Sequence, residues 1–211
     1  MQLKRADVVT GALALLDADG LDALTMRKLG ARLGVQAGGI YWHFRNKQAV
    51  LEAVADRIVG EVTATPFEPG AWDAQLAELA HRLRRALLAH RDGARVVAGT
   101  YVLEPNTERG AEAALRIMTD AGFPLDRAGW VLFAVTYYVL GHTIEEQAQR
   151  AQGDWEERGK TLPASELNRL MDEVIKADPT ERFTYGLELI LDGVRLRLEE
   201  SRGRSTCSEE K

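Results

Sequence analysis

Apolar residues recur at helical spacing along most of the chain. In the first segment Val9, Ala12, Leu13 and Leu16 follow the i, i+3, i+4, i+7 pattern of an amphipathic helix, and Gly20 stands where that helix would end. We find no alternation of apolar and polar residues long enough for a sheet. The pattern therefore predicts an all-α protein.

Further helices are predicted from the same periodicity and from residues that begin or end helices. Thr25 and Asn46 are candidate N-caps, and Gly34 is placed to end the second helix. A polar segment with two glycines, 151–162, predicts a mobile loop. The predicted helices after the first cover 26–33, 36–43, 47–62, 72–90, 93–100, 105–121, 125–150, 163–176 and 179–200.

These helices divide into a small N-terminal unit, 1–47, and a larger helical unit, 48–200. The helix that begins after Asn46 connects the two, and prolines and glycine at 66, 69 and 70 interrupt the pattern beyond it. The polar residues 201–211 predict a disordered tail.

Composition places the chain among ordinary soluble proteins. Of 211 residues, 45% are hydrophobic and 28% charged, and no apolar run reaches the ~18 residues of a membrane span. The first residues lack the pattern of a signal peptide. The single cysteine, Cys207, has no partner for a disulfide or a cysteine-built zinc site. We expect a cytoplasmic protein with no membrane partner, metal or cofactor.

Charge is distributed unevenly along the chain. Residues 1–47 contain seven Lys or Arg against four Asp, a net charge of +3, so the remainder carries −8 of the total of −5. A basic unit on an acidic body suits a protein that contacts phosphates with one end only. A chance fluctuation of surface charge would give the same totals.

The segment 24–47 predicts a helix-turn-helix, in which a second helix enters the major groove of DNA. Apolar residues at helical spacing would pack its three helices together: Leu29, Leu33, Val35, Ile40 and Phe44. A similar trihelix also occurs in proteins that do not bind DNA, in which case Arg27, Lys28 and Arg32 form a solvated face.

The other faces of these helices supply candidate DNA contacts. Arg27 can pair with guanine and Gln36 with adenine, and Ala37 offers a methyl contact to thymine. Glycines 38 and 39 weaken the recognition helix, and Gly38 would let the backbone approach DNA closely. The candidate phosphate contacts are Thr25, Tyr41, His43 and Lys47.

The residues at 24–47, above all the run Tyr-Trp-His-Phe-Arg-Asn-Lys at 41–47, resemble the DNA-binding domain of the TetR family of bacterial repressors. The resemblance covers about residues 3–198, because segments of the body are also similar to the tetracycline repressors. These segments lie at 87–96, 99–100, 122–123, 140–141, 145 and 185–190. The resemblance implies a homodimer held by a four-helix bundle from the helices at 125–150 and 179–200, an effector pocket in each body, and operator DNA as partner.

The positions that bind the drug in tetracycline repressors differ here. The resemblance places Val97 where a histidine binds the drug-chelated magnesium, and Thr63 and Leu79 where a histidine and an asparagine hold the polar ring. An Arg-Pro pair becomes 101–102, and a glutamine becomes Ala114. We therefore expect a metal-free, apolar or aromatic effector. The expected lining is Thr63, Leu79, Leu83, Val97, Thr100, Tyr101, Val102, Ala114, Phe133, Tyr137 and Glu145.

Two features of the body have more than one interpretation. Aromatic residues along the helix at 125–150 are more often core or dimer interface than ligand contacts, and the family resemblance favours a pocket role. His142 with Glu145 and Glu146 provides too few ligands for a metal, and a polar lining or an interface explains these residues better.

The sequence favours a ligand-released repressor over two other functions. An effector-independent DNA-binding regulator differs only in that no small molecule weakens its binding. An all-α enzyme would need a Ser-His-Asp, Cys-His or paired-carboxylate arrangement, and the spacing indicates none. His90, Arg91 and Asp92 match three letters of a kinase loop without its other motifs. We therefore expect no enzymatic activity.

Overall fold

The computed structural model describes residues 3–100, 104–152 and 165–208, and within these ranges every regular element is helical. The predicted all-α fold, with a helix-turn-helix followed by a helical C-terminal domain, is confirmed. The elements are α1 (Arg5–Asp19), α2 (Met26–Leu33), α3 (Ala37–Tyr41), α4 (Lys47–Gly60), a 3₁₀ turn (Glu61–Thr63), α5 (Trp72–Leu88), α6 (Gly93–Ala98), α7 (Pro105–Asp120), α8 (Leu125–Gln152), α9 (Glu166–Lys176) and α10 (Pro179–Ser208).

The predicted caps of the first helices are confirmed. The Thr25 hydroxyl accepts a hydrogen bond from the backbone N–H of Lys28 at 3.1 Å, and Asn46 Oδ1 accepts one from Ala49 at 2.8 Å. Gly20 follows α1 with φ 83°, and Gly34 follows α2 with φ 67°, in the left-handed region that favours glycine. Local chemistry therefore sets where α1, α2 and α4 begin or end.

The buried face of α1 differs from the predicted one by about one residue. Val8 and Leu15 are buried together with Ala12 and Leu16, whereas Val9 and Leu13, predicted to be on that face, are only half-buried. The prediction was wrong for these two residues because Val8, Val9, Leu13, Leu15 and Leu16 allow two apolar stripes, and packing selects one of them.

The third helix is shorter than the predicted range of 36–43. α3 covers five residues, Ala37–Tyr41, and ends in a turn in which the N–H groups of His43 and Phe44 both donate to the carbonyl of Ile40. Two glycines lower the helix propensity of this segment by ~1 kcal/mol each, and Ile40 is its buried residue.

Packing divides the chain into two compact units, and the boundary between them in the sequence lies between Ile144 and Glu145. In the first unit α4 is central, because it packs against α1, α5, α6 and α7. The predicted functional boundary at 47/48 falls inside this unit and remains a prediction. The fully buried side chains of the first unit include Leu16, Leu24, Leu29, Ile40, Phe44, Ile58, Leu76, Leu87 and Met118.

The second unit contains the end of α8 with α9 and α10. Ser165 caps α9 by accepting a hydrogen bond from Asn168 N at 3.1 Å. α10 continues to Ser208, so the prediction of disorder was wrong for residues 201–208; residues 209–211 lie outside the described ranges. Residues 151–152 of the predicted loop belong to α8, and 153–162 are also outside. Among the described helices, none combines the length and apolar character needed to cross a membrane.

Candidate nucleic-acid interface and effector site

Two glycines allow α2 and α3 to pack as a helix-turn-helix. Gly34 provides the left-handed turn between them. A Cβ atom at Gly30 would lie 2.8 Å from the Val35 carbonyl oxygen and 3.3 Å from the Ala37 nitrogen, so the α3 backbone approaches α2 where only a hydrogen fits. α2 packs on α1 as well as on α3, so it joins the recognition helix to the rest of this unit.

The predicted base-contacting residues lie at the surface of this unit. Arg27, Gln36 and Gly38 are exposed, and Ala37 is half-buried. A Cβ at Gly38 would meet nothing within 4 Å, so open space surrounds this part of α3. The structure thus leaves the predicted reading surface accessible.

The predicted phosphate contacts have more varied surroundings. Thr25 and Tyr41 are exposed, whereas His43 and Lys47 are half-buried. The Lys47 ammonium donates to the carbonyl of Leu21 at 3.4 Å, which holds it beside the start of α4. Cations and hydroxyls at the two ends of the recognition segment suit contacts to the DNA backbone.

Several arginines of the unit are available for phosphates. Lys28 lies 3.6 Å from the carboxylate of Asp19. Over the described ranges of the chain, no carboxylate lies within 4.0 Å of the cationic groups of Arg27, Arg32 or Arg45, all of which are exposed. Exposed cations without a neighbouring carboxylate are suited to binding a polyanion.

Two residues beside the recognition helix were missed by sequence reasoning. Trp42, directly after α3, is 90% exposed, the largest exposure among the exposed large apolar residues described. Arg5 on α1 donates to the His43 carbonyl at 3.3 Å, and its guanidinium lies 4.1 Å from the centre of the Phe44 ring. The position of Trp42 next to Tyr41 was a usable signal, whereas the contact of Arg5 is long-range and left no local pattern.

Polar contacts join α1 and the following turn to the α5–α6 corner. Asp92 Oδ2 accepts a hydrogen bond from Leu21 N at 2.8 Å, and Arg95 bridges Asp92 and Asp22 at 3.0 and 3.2 Å. Burial would raise the pKa of Asp92, but the Leu21 N–H and Arg95 outweigh burial and lower it. This corner therefore carries a carboxylate that stabilises the fold in its ionised form.

Most of the predicted effector residues on α5 to α7 are buried or half-buried. Leu83 on α5 and Ala114 on α7 are buried, and α5 packs against both α6 and α7. Leu79, Val97 and Thr100 are half-buried. The Thr100 hydroxyl donates to the carbonyls of Val96 and Val97 at 3.1 and 3.0 Å, so it caps the end of α6.

The predicted effector residues on α8 are exposed. Phe133 and Tyr137 are 53% and 67% exposed, with ring centres 5.8 Å apart, and Glu145 is also exposed. Trp130, one turn before Phe133, is 61% exposed. We call Trp130, Phe133 and Tyr137 the α8 aromatic stripe. Residues 101 and 102, predicted as Tyr101 and Val102 of the lining, lie outside the described ranges.

Two cavities open beside the loop between the 3₁₀ turn and α5. Their volumes are about 340 and 300 Å³, and they share Phe67, Ala113 and Arg116 as lining residues. Arg82 holds the loop by donating to the carbonyls of Thr65 and Pro66, among others. Thr63 is the one predicted effector residue that lines either of these two cavities.

The candidate metal ligands on α8 have other partners. Glu146 is buried and its carboxylate lies 2.6 Å from the guanidinium of Arg150. Glu145 is exposed, and among the described residues no three His, Cys, Asp or Glu side chains form a group that could hold a metal ion.

Comparison with known proteins places both halves of the chain in one family. The model described as bacterial regulatory proteins of the tetR family matches residues 8–54, and the model described as a tetracyclin repressor-like C-terminal domain matches residues 65–198. The tetracycline repressor protein class C of Escherichia coli is 41% identical over 208 residues, with 93% of each chain covered.

Solved structures agree with this assignment. ActR, a TetR family protein of Streptomyces coelicolor, in complex with actinorhodin, superimposes with a TM-score of 0.83 at 31% identity, covering 94% of this chain and 99% of ActR. A TetR variant from Acinetobacter baumannii AYE in complex with minocycline gives a TM-score of 0.78 at 38% identity, covering 92% and 94%. With a helix-turn-helix and a helical body that both match, the chain belongs to the TetR family of bacterial transcriptional repressors.

Proposed function

We propose that this protein binds a palindromic operator as a homodimer and leaves it when a metal-free aromatic or polycyclic molecule enters the body. The observation that carries the DNA-binding part is the exposed face of α2 and α3, where Arg27, Gln36 and Tyr41 all reach solvent. A regulator of this kind acts in the cytoplasm, on the bacterial chromosome, and has no enzymatic step.

The α8 aromatic stripe supports the homodimer. Three large aromatic side chains at helical spacing are each more than half exposed in the single chain. Contiguous exposed apolar surface of this kind marks an interaction site, and a second copy covers it under two-fold symmetry. Two recognition helices related in this way would reach half-sites centred about 34–36 Å apart.

The exposure of Phe133 and Tyr137 changes the role that we propose for them. On its own chain each of these residues is more than half exposed, so we expect it to contact an effector only where the partner encloses it. We therefore assign them first to the dimer interface and keep Leu79, Leu83, Val97, Thr100 and Ala114 as the proposed effector contacts.

The proposed effector follows from the apolar character of that group. Val97 has no nitrogen with which to bind a cation, and Leu83 and Ala114 are buried hydrocarbon. Burial of ~200–300 Å² of apolar ligand surface supplies ~5–8 kcal/mol before entropy costs. ActR, to which the chain is similar, forms a complex with actinorhodin, which makes that compound a suitable test ligand. Release requires that this ligand bind the DNA-free conformation more tightly.

A DNA-mobility assay tests the proposal. A duplex selected from random sequences by the protein is titrated with actinorhodin and with minocycline, each with magnesium and with EDTA. We expect release by actinorhodin to be unchanged by EDTA. Release by minocycline that strictly requires magnesium would overturn the metal-free effector, and binding that no compound weakens would support an effector-independent regulator.

The variant Val97→His provides a matched control for that assay. It restores a nitrogen donor at the position that the resemblance to tetracycline repressors assigns to a metal ligand. If Val97 is what excludes a metal-bound drug, the variant gains magnesium-dependent sensitivity to minocycline relative to the parent protein. An equal response of the two proteins would show that Val97 does not set this selectivity.

A further inference from the structure

The recognition helix α3 is too short to hold its own conformation. It covers five residues, Ala37–Tyr41, and two of them, Gly38 and Gly39, lower its helix propensity. Isolated helices shorter than about 12–15 residues are marginal in water. Contacts with other elements must therefore set where α3 lies. At its start the close approach to Gly30 supplies such a contact.

Arg5 supplies contacts at the other end of α3. Its guanidinium donates a hydrogen bond to the His43 carbonyl at 3.3 Å and lies 4.1 Å from the centre of the Phe44 ring. Phe44 is 2% exposed, and its N–H and that of His43 donate to the Ile40 carbonyl in the turn that ends α3. An arginine suits this place, because the last carbonyls of a helix lack partners within it and its C-terminal end carries partial negative charge.

The backbone that carries Arg5 is itself held in place. Arg5 is the first residue of α1, and Asp7 Oδ2 accepts a hydrogen bond from the backbone N–H of Lys4 at 2.9 Å, which closes the first turn. Val8, in the same part of α1, is buried, and α1 packs against both α2 and α4. Arg5 therefore reaches the end of α3 from a packed helix.

The charge of Arg5 has a partner, unlike that of the proposed DNA contact Arg27. The Glu104 carboxylate lies 3.6 Å from one nitrogen of the Arg5 guanidinium, and another nitrogen donates to His43. For Arg27, no carboxylate of the described residues lies within 4.0 Å. Three partners on one planar group favour a fixed orientation of Arg5 over a contact with a phosphate.

We infer that Arg5 is a positioning residue for DNA recognition, which holds the end of α3 against α1 and does not itself contact the duplex. The inference rests on the DNA-binding part of the proposed function. Gln36 is the N-cap of α3 and Ala37 its first residue, so their aim depends on how α3 is held. Arg27 lies on α2, which packs on α1 directly, so its aim does not depend on Arg5.

Binding to single-base variants of the selected duplex tests the positioning role. In Arg5→Ala we expect affinity to fall about tenfold and preference to relax at the base pairs that Gln36→Ala identifies, while the preference that depends on Arg27 is retained. Because no phosphate contact is removed, the salt slope of binding should not change. Arg57→Ala is the matched control, because it removes an exposed arginine from α4, and it should bind as the parent protein does.

The variant Arg5→Lys separates positioning from a direct phosphate contact. Lysine keeps the positive charge but lacks the planar group that meets His43, Phe44 and Glu104 together, so we expect it to restore only part of the base preference. A phosphate contact would be restored by lysine, and Arg5→Ala would then weaken all duplexes alike and reduce the salt slope by about one unit. That pair of results would overturn the inference.

Amide hydrogen exchange of the free protein separates failure of this inference from failure of the proposed function. The N–H groups of His43 and Phe44 report on the turn that ends α3, and we expect them to exchange several-fold faster in Arg5→Ala than in the parent protein or in Arg57→Ala. Arg5→Lys should give an intermediate rate and serves if the alanine variant does not fold. If the parent protein binds no DNA, the proposed function is wrong, and this exchange decides whether Arg5 holds α3. Equal exchange in all four proteins would show that α3 is held without Arg5.

Discussion

Individual side chains of the helix-turn-helix differ in how firmly the protein holds them. Arg27 and Gln36, the proposed base contacts, are exposed, whereas Lys47 is half-buried and donates to the Leu21 carbonyl. A flexible exposed side chain can adapt to one base pair, and a held cation beside the start of α4 contacts the backbone whatever the sequence. The two kinds of residue therefore predict different mutational effects.

We predict that Arg27→Ala and Gln36→Ala each cost ~1–3 kcal/mol of operator affinity and relax preference at one base pair. Lys47→Ala should weaken all duplexes alike and reduce the salt slope by about one unit. Binding measured on single-base variants of the site, at several salt concentrations, distinguishes these effects. A changed base preference in Lys47→Ala with none in Gln36→Ala would mean that the recognition helix lies in another register.

Asp92 predicts a pH dependence of stability. Its folded-state pKa lies below the ordinary value of 3.8, so its contribution is present above that value and is lost as the pH falls through the folded-state pKa. We expect Asp92→Asn to lower the free energy of unfolding by about 1 kcal/mol at neutral pH. Urea unfolding at several pH values should show this difference narrowing below about pH 4. A difference that stays constant down to pH 2 would contradict the prediction.

Elements whose ends depend on local chemistry were predicted well from the sequence. Thr25 and Asn46 cap their helices as expected, and Gly20 and Gly34 end theirs. The length of α3 and the buried face of α1 depend on packing, which the pattern of apolar residues does not determine. The hydrogen bond from Asn106 N to Asp56 Oδ1 joins residues fifty positions apart, so no local sequence pattern predicts it. The proposed DNA-reading residues come from one short motif, so the sequence alone suggests them, and they stay a prediction.

Two glycines of the helix-turn-helix, Gly30 and Gly38, allow a test of how α2 and α3 pack together. Gly30→Ala places a methyl group against the backbone of Val35, which cannot move aside as a side chain would, and we expect a loss of ~1–3 kcal/mol of stability. Gly38→Ala enters open space and should stabilise α3 by up to ~1 kcal/mol. Thermal unfolding of both variants measures the difference. If Gly30→Ala were as stable as Gly38→Ala, the close approach of α2 and α3 would be wrong.

At the scale of the whole molecule, charge and apolar surface are separated. Residues 1–47 carry +3 and the rest −8, which confines attraction to phosphates to one end of the chain. The α8 aromatic stripe lies outside that basic segment. The proposed pairing with a second copy and the proposed binding of DNA therefore involve different residues, and we expect them to be separable by mutation.

We predict that Tyr137→Glu, with a charge in the middle of the stripe, converts the dimer to monomers at micromolar concentration. Ala111→Glu, at an exposed position on α7, adds the same charge elsewhere and should leave the dimer intact. Sedimentation velocity gives the oligomeric state of both variants. A parent protein that sediments as a monomer would remove the homodimer from the proposal.

The separation of the α8 aromatic stripe from the reading surface has a genetic consequence. A chain that has lost Arg27 and Gln36 keeps the stripe, so it still pairs with an intact chain. The mixed dimer would have one intact helix-turn-helix and could not bind both halves of a palindrome. In a cell that makes both forms, we therefore expect the defective allele to be dominant, and we expect the addition of Tyr137→Glu to that same allele to make it recessive.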